Sequence, residues 1–228
     1  MRSRRCVLVA AIFVLVALSL LMMGCGGSSS KAKLRLINAT PDIAGFDLLV
    51  DGTSVATSVG YGSASAYVSV SPGSRHLQVE PSGTTNVEID TTQSIGSGSN
   101  LSLITLNYSG SISAALLTDD NSAPSSGNFK LRIVNASPGL GPQDVYVETF
   151  GSNISSIAPT FSSLAVGSAS SYSSLPAGDY EVSFTSPGQK FVNVSSGKIS
   201  FSNGQVRTML GLNVLGGGFE TTLLSDAN

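Results

Sequence analysis

Lys33-Leu34-Arg35-Leu36-Ile37-Asn38-Ala39-Thr40-Pro41 returns almost unchanged as Lys130-Leu131-Arg132-Ile133-Val134-Asn135-Ala136-Ser137-Pro138. In each copy an alternating run ends on Asn-Ala-(Thr or Ser)-Pro, where proline stops a central strand and asparagine favours a turn. Each copy therefore opens a β unit, and the unit is used twice. In the opening strand Leu34 and Leu36 fall on one side and Lys33 and Arg35 on the other, which predicts a sheet with one face buried and one in water. Asn38 and Asn135 share the buried side at the strand's end. A polar group there needs partners, so both side chains are expected to bond the backbone of the turn that follows.

Working outward in the first copy, Phe46 to Val50 runs into Asp51-Gly52, a hairpin signal. Gly62-Ser63-Ala64-Ser65-Ala66-Tyr67 leads to Val68-Ser69-Val70 and a turn at Pro72-Gly73, and Leu77 and Val79 alternate with His76, Gln78 and Glu80. Further strands are predicted at 86–90, 101–108 and 112–117. The second copy replays this order through Gly167 to Tyr172, Pro176-Ala177-Gly178 and Pro187-Gly188, with its added residues in a longer loop between Thr149 and Ala165. Gly216-Gly217-Gly218 reads as a hairpin turn. Short runs between turns, without an amphipathic helix, predict an all-β protein of two tandem antiparallel β-sandwiches, about seven strands each. The repeats span 33–121 and 129–228, joined by a linker at 122–128. The surrounding stretch Asp119 to Asn128 has only Ala123 and Pro124 to offer as apolar contacts, so the two units are expected to fold separately.

Ahead of the repeats, residues 1–24 read as an export signal: Arg2, Arg4 and Arg5 precede an apolar run from Val7 to Met23. The junction Leu21-Met22-Met23-Gly24-Cys25 resembles the lipobox of bacterial lipoproteins, which makes Cys25 the acylated residue and the new N-terminus. An uncleaved anchor is the alternative, although the run is slightly short of the about 20 apolar residues a spanning helix needs. In lipoproteins of this kind, Gly26 directly after the cysteine implies no retention at the inner membrane, and hence the outer membrane where the cell has one. Residues 25–32 form a glycine and serine tether with a reach of only about 15 Å.

Cysteine usage and charge agree with that address. Cys6 lies in the leader and Cys25 would carry lipid, which leaves the repeats no thiol for disulfides, thiol catalysis or metal. Three of the 12 basic residues belong to the leader and all 14 acidic residues lie beyond it, so the exported body is weakly acidic and has no electrostatic footprint for nucleic acid.

No catalytic constellation emerges. His76 is the only histidine and sits on a polar strand face, where it reads as solvated and without partners; the second copy has Glu181 at its position. Asp47 and Asp144 occupy matching places, as do Asn38 and Asn135, and Asp119 and Asp226. Such a set could supply the oxygen ligands of a calcium site, but its spacing matches no calcium loop. Turn-locking hydrogen bonds are the favoured reading, and neither metal nor cofactor is expected. Tyr67 and Tyr172 could stack on a sugar or peptide, yet their repetition favours a shared packing role, and the chain has no tryptophan to build a glycan platform.

The order Leu-Arg-(Leu/Ile)-(Ile/Val)-Asn-Ala-(Thr/Ser)-Pro, then Asp144-Val145-Tyr146-Val147, then Tyr172 ahead of Leu175-Pro176-Ala177-Gly178-Asp179-Tyr180-Glu181-Val182, resembles the domain of unknown function 4397 family. The resemblance covers nearly all of 33–228. The first copy is the more diverged, with Leu49 for Tyr146 and Arg75 for Tyr180. It implies immunoglobulin-like or transthyretin-like sandwiches in an exported bacterial protein, and no activity. The expected function is that of a non-catalytic cell-envelope lipoprotein, an interaction or spacer module. Its expected partners are the membrane, through lipid, and an envelope protein or a glycan. A carbohydrate- or peptide-binding surface protein is the alternative, and an accessory domain of an extracellular enzyme system a more distant one.

Overall fold

The computed structural model describes residues 30–227, of which Lys31 onward form one compact unit. The export signal, the lipobox and Cys25 lie outside the described residues. The first repeat contains β1 (Ala32–Asn38), β2 (Gly45–Val50), β3 (Thr53–Gly60), β4 (Ser63–Ala64), β5 (Val68–Val70), β6 (Gly73–Pro81), β7 (Ile89–Ile95), β8 (Asn100–Leu106) and β9 (Ser113–Asp119). The second contains β10 (Asn128–Asn135), β11 (Gln143–Thr149), β12 (Phe161–Leu164), β13 (Ser173–Pro176), β14 (Gly178–Thr185), β15 (Val192–Ser195), β16 (Ile199–Phe201), β17 (Val206–Asn213) and β18 (Phe219–Ala227). Asp51 and Gly52, both at positive φ, make the tight β2–β3 turn. In the second repeat that turn is replaced by a longer loop with a 3-10 turn at Ile154–Ser156.

Each repeat is a sandwich of two sheets. In the first, β3-β2-β6-β7 faces β4-β1-β8-β9, with β5 continuing the edge beside β1; in the second, β12-β11-β14-β15 faces β13-β10-β17-β18, with β16 on β14. The pairing is antiparallel except that β1 runs parallel to β8, and β10 to β17. Between the sheets of the first repeat lie Leu34, Leu36, Phe46, Leu48, Leu77 and Leu103, and between those of the second Phe129, Ile133, Val145, Val182, Phe184 and Met209. The strand expected at 86–90 begins only at Ile89 and runs on through Thr91-Thr92-Gln93-Ser94. That polar run pairs with β6 along the sheet's rim, where its side chains stay largely in water and no apolar alternation marks it.

A third core lies between the repeats and overturns the expectation of separate units. Ile37, Ala39, Ile104 and Leu106 of the first repeat pack against Val134, Ala136, Leu210, Leu212 and Leu224 of the second. The sheets containing β1 and β10 are thus covered on both faces, and the described residues form a stack of four sheets with three cores. The apolar contact between the repeats comes from the facing sheets, through β1 and β8 on one side and β10, β17 and β18 on the other, and not from the linker. Two glycines mark how closely they approach. A Cβ on Gly62 (φ +68°) would stand 3.4 Å from Leu212 Cδ1, and one on Gly167 (φ +75°) 3.1 Å from Leu106 Cδ1.

Candidate functional site

The face of β1 that alternation assigns to water carries Arg35, whose side chain is only 1% exposed; Arg132, its counterpart on β10, is 2% exposed. Each arginine reaches across to the other repeat. The Arg35 guanidinium pairs with Asp226 and donates to the Ser225 carbonyl at 2.9 Å, while its Nε donates to Ser102 Oγ of its own repeat at 2.7 Å. Arg132 does the same in reverse. Its Nη1 donates to the Thr118 carbonyl at 3.1 Å and its Nη2 to Thr208 Oγ1 at 3.0 Å. Nη2 also lies 2.8 Å from Asp119 Oδ1, an ion pair whose angle falls short of a hydrogen bond.

A tyrosine covers each arginine. Tyr67 lies under the Arg35 guanidinium at 4.7 Å and donates to Asp119 at 2.6 Å; Tyr172 lies under Arg132 at 4.8 Å and donates to Asp226 at 2.8 Å. Burial would lower the Arg35 pKa, but Asp226, with Tyr67 and Asp119, holds it above its ordinary value. Burial also lifts both phenols well above the usual tyrosine range, against the pull of the arginine beside each, so they remain neutral donors. Desolvating two ion pairs costs about what their attraction returns, but leaving any member unpaired costs about 3–5 kcal/mol. The cluster therefore fixes register between the repeats, because each Asp, held by hydroxyls of its own repeat, takes its close arginine from the other one.

Asn38 and Asn135 are fully buried and tie the turns beside this junction. Asn38 Nδ2 donates to the carbonyls of Ile43 and Val59, and its Oδ1 accepts from Thr40 N; Asn135 repeats this with Gly141, Leu164 and Ser137 N. Asp47 accepts from Ser58 N at 2.8 Å and Ser82 Oγ at 2.6 Å, and Asp144 from Ser163 N at 2.7 Å and Gly188 N at 2.8 Å. Ser58 and Ser163 both have positive φ, so each Asp pins a kinked position in an edge strand. The calcium alternative has no geometry to rest on: Asp119 and Asp226 are committed to the junction, away from Asn38 and Asp47. Among the described residues no acid, histidine or cysteine cluster suited to a metal occurs.

His76 is not without partners. Its Nε2 lies 2.6 Å from Asp90 Oδ1 on the neighbouring strand, with both side chains exposed and the Asp90 pKa lowered by that contact. Diagonal neighbours of this kind, two registers off across β6 and β7, are not legible until the pairing is known. The junction residues left a signal that alternation alone misses. Leu36-Ile37, Ile133-Val134, Leu103-Ile104 and Met209-Leu210 are consecutive apolar pairs, which mark strands buried on both faces.

The first repeat also bears a groove of about 430 Å³ between β3 and the segment 63–68, the edges of its two sheets.

A tandem pair of β-sandwiches fused through a shared core is the class that this architecture defines. The family model "Domain of unknown function (DUF4397)" matches residues 32–146 and again 130–228, and the chain belongs to that family. Among solved structures, it is similar to CBMbc, a family CBM26 module from Eubacterium rectale Amy13K in complex with maltoheptaose. That likeness has 12% identity and a TM-score of 0.27, covering 87% of this chain and 98% of that one. It is also similar to a leucine-rich repeat protein from Bacteroides thetaiotaomicron VPI-5482, with 14% identity and a TM-score of 0.21, covering 78% of this chain and 25% of that one. No curated protein matches the chain. TM-scores this low carry nothing about what the chain binds.

Proposed function

We propose that this chain is a non-catalytic lipoprotein of the cell envelope, exported and held by acyl chains on Cys25, in which the two repeats act as one stiff spacer and interaction module. The observation that carries this reading is the third core with its reciprocal arginine cluster. It commits both buried arginines and their aspartate partners to joining the repeats, so that the two sandwiches form one body. Direction supports it as well. Ala32, where the tether joins, pairs with Val70 at one end of the first repeat, whereas the Asn38 and Asn135 turns and the β8–β9 and β17–β18 hairpins gather at the other. Anchoring through the tether would hold the first end near the bilayer and present the second outward.

Several acyl chains anchor firmly where one is marginal, since each buried methylene contributes about 0.8 kcal/mol. Cys25→Ser is therefore expected to release the protein into the soluble fraction of the cell, or to leave it held only by the uncleaved apolar segment. Intact-mass measurement of the wild type showing an unmodified Cys25 contradicts the anchor.

A further inference from the structure

The repeats differ at one edge in a way that describes a ligand. In the second, Phe161 of β12 stands opposite Val145 of β11 and packs on the core of that sandwich. In the first, the matching pair is Ala56 of β3 opposite Leu48 of β2. Where one copy places a phenyl ring, the other places a methyl group, and the groove of about 430 Å³ opens there. Its apolar lining is Val55, Ala56, Val59, Ala64, Ala66 and Val68; the other lining residues are serines, a threonine and a glycine, so no charge and no aromatic ring faces it.

The groove runs beside a strand edge. β3 is the end strand of its sheet, eight residues long, without a charged residue or a proline. Natural edges of that length are usually blunted by lysine, proline, shortening or bulges; β3 has bulges opposite β2 and a kink at Ser58, but keeps its full length without lysine or proline. The matching edge is blunted: β12 has four residues and follows Pro159.

We propose that this groove is a peptide-binding site, in which an extended segment of a partner protein adds to the edge of β3 and sets one side chain of phenylalanine or leucine size against Ala56 and Val68. Strand addition gives affinity through main-chain hydrogen bonds and selectivity through side-chain pockets, and both parts are present here. A sugar would need aromatic platforms and polar side chains that the groove lacks. A second copy pairing through its own β3 would leave the groove unfilled, because the inward residues of that strand face its own sandwich. The inference rests on reading the chain as an interaction module but not on the lipid anchor.

The test uses the full-length protein in detergent and a fluorescein-labelled peptide with the sequence of residues 160–166, Thr-Phe-Ser-Ser-Leu-Ala-Val, an extended segment whose Phe161 takes the place of Ala56 in the second repeat. Fluorescence polarisation should show saturable binding. Replacing the peptide's phenylalanine by alanine should weaken it at least about tenfold, since burying a phenyl side chain is worth more than that factor. Ala56→Phe, which puts a ring into the groove, should weaken it similarly. Thr57→Lys, which charges the exposed edge without touching the core, should do the same and covers the case in which Ala56→Phe fails to fold. Cys25→Ser should bind as the wild type does, so loss of the anchor and loss of the groove read out separately. Absence of saturable binding, or binding indifferent to both variants, overturns the proposal. So does concentration-dependent dimerisation in sedimentation that Thr57→Lys abolishes, which would give the edge to a second copy.

Discussion

Arg35 and Arg132, Tyr67 and Tyr172, and Asp119 and Asp226 keep their residue types and their partners in both repeats, whereas Ala56 and Phe161, Phe46 and Gln143, and Arg75 and Tyr180 stand at matching positions with different side chains. The first group lies at the junction and the second on the outward sheets. A reciprocal junction leaves little room for change, because each arginine needs the other repeat's aspartate and an altered residue strands its partner in a place water does not reach. The outward sheets have no such constraint: buried Phe46 and Gln143 differ within them, and at their edges Ala56 and Phe161 leave the two copies with different surfaces.

The junction half of that comparison breaks most severely at Asp226, which receives Arg35, Tyr172 and Thr208 together. Asp226→Ala is expected to cost about 3–5 kcal/mol in urea denaturation, the range for removing one partner of a buried pair. A loss no larger than that of an exposed surface substitution would mean that the cluster is solvated and the repeats are merely adjacent. A smaller loss is expected at the turn beside it. Asn135→Leu removes two donors and an acceptor from buried backbone groups of the β10–β11 and β12 segments, which should cost about 1–3 kcal/mol in the same measurement.

The smallest effect sharpens the role of the tyrosines. Burial raises the phenols of Tyr67 and Tyr172, so each contributes stability that is fully present below the unfolded tyrosine pKa of about 10 and is lost as pH rises through the folded value. The urea midpoint of the wild type should therefore fall between pH 9 and pH 11, and it should fall less in the Tyr67→Phe, Tyr172→Phe double variant. An equal fall in both would place the alkaline sensitivity elsewhere.

Much of the fold was legible from the chain: the all-β class, the duplication, the Asp51-Gly52 hairpin and the longer second loop all follow from local turn chemistry and alternation. The bonds of Asn38 and Asn135 within the turn beside them were legible for the same reason, whereas those to Val59 and Leu164 come from β3 and β12, one strand beyond the next. The junction was not. Arg35 alternates with Leu34 and Leu36 just as a solvated residue would, and the residues that bury it are nearly two hundred positions away in the chain. Only the doublets Leu36-Ile37, Leu103-Ile104, Ile133-Val134 and Met209-Leu210 broke the one-sided pattern. The linker misled in the same direction, because adhesion between the repeats comes from sheet faces and not from the segment that connects them.

That the repeats form one cooperative body is tested most directly by scanning calorimetry of the full chain. A single endotherm, with calorimetric and van't Hoff enthalpies equal within error, is the expected result. Two endotherms that Asp226→Ala leaves in place would contradict the account, because each repeat would then be melting without regard to the core it shares with the other.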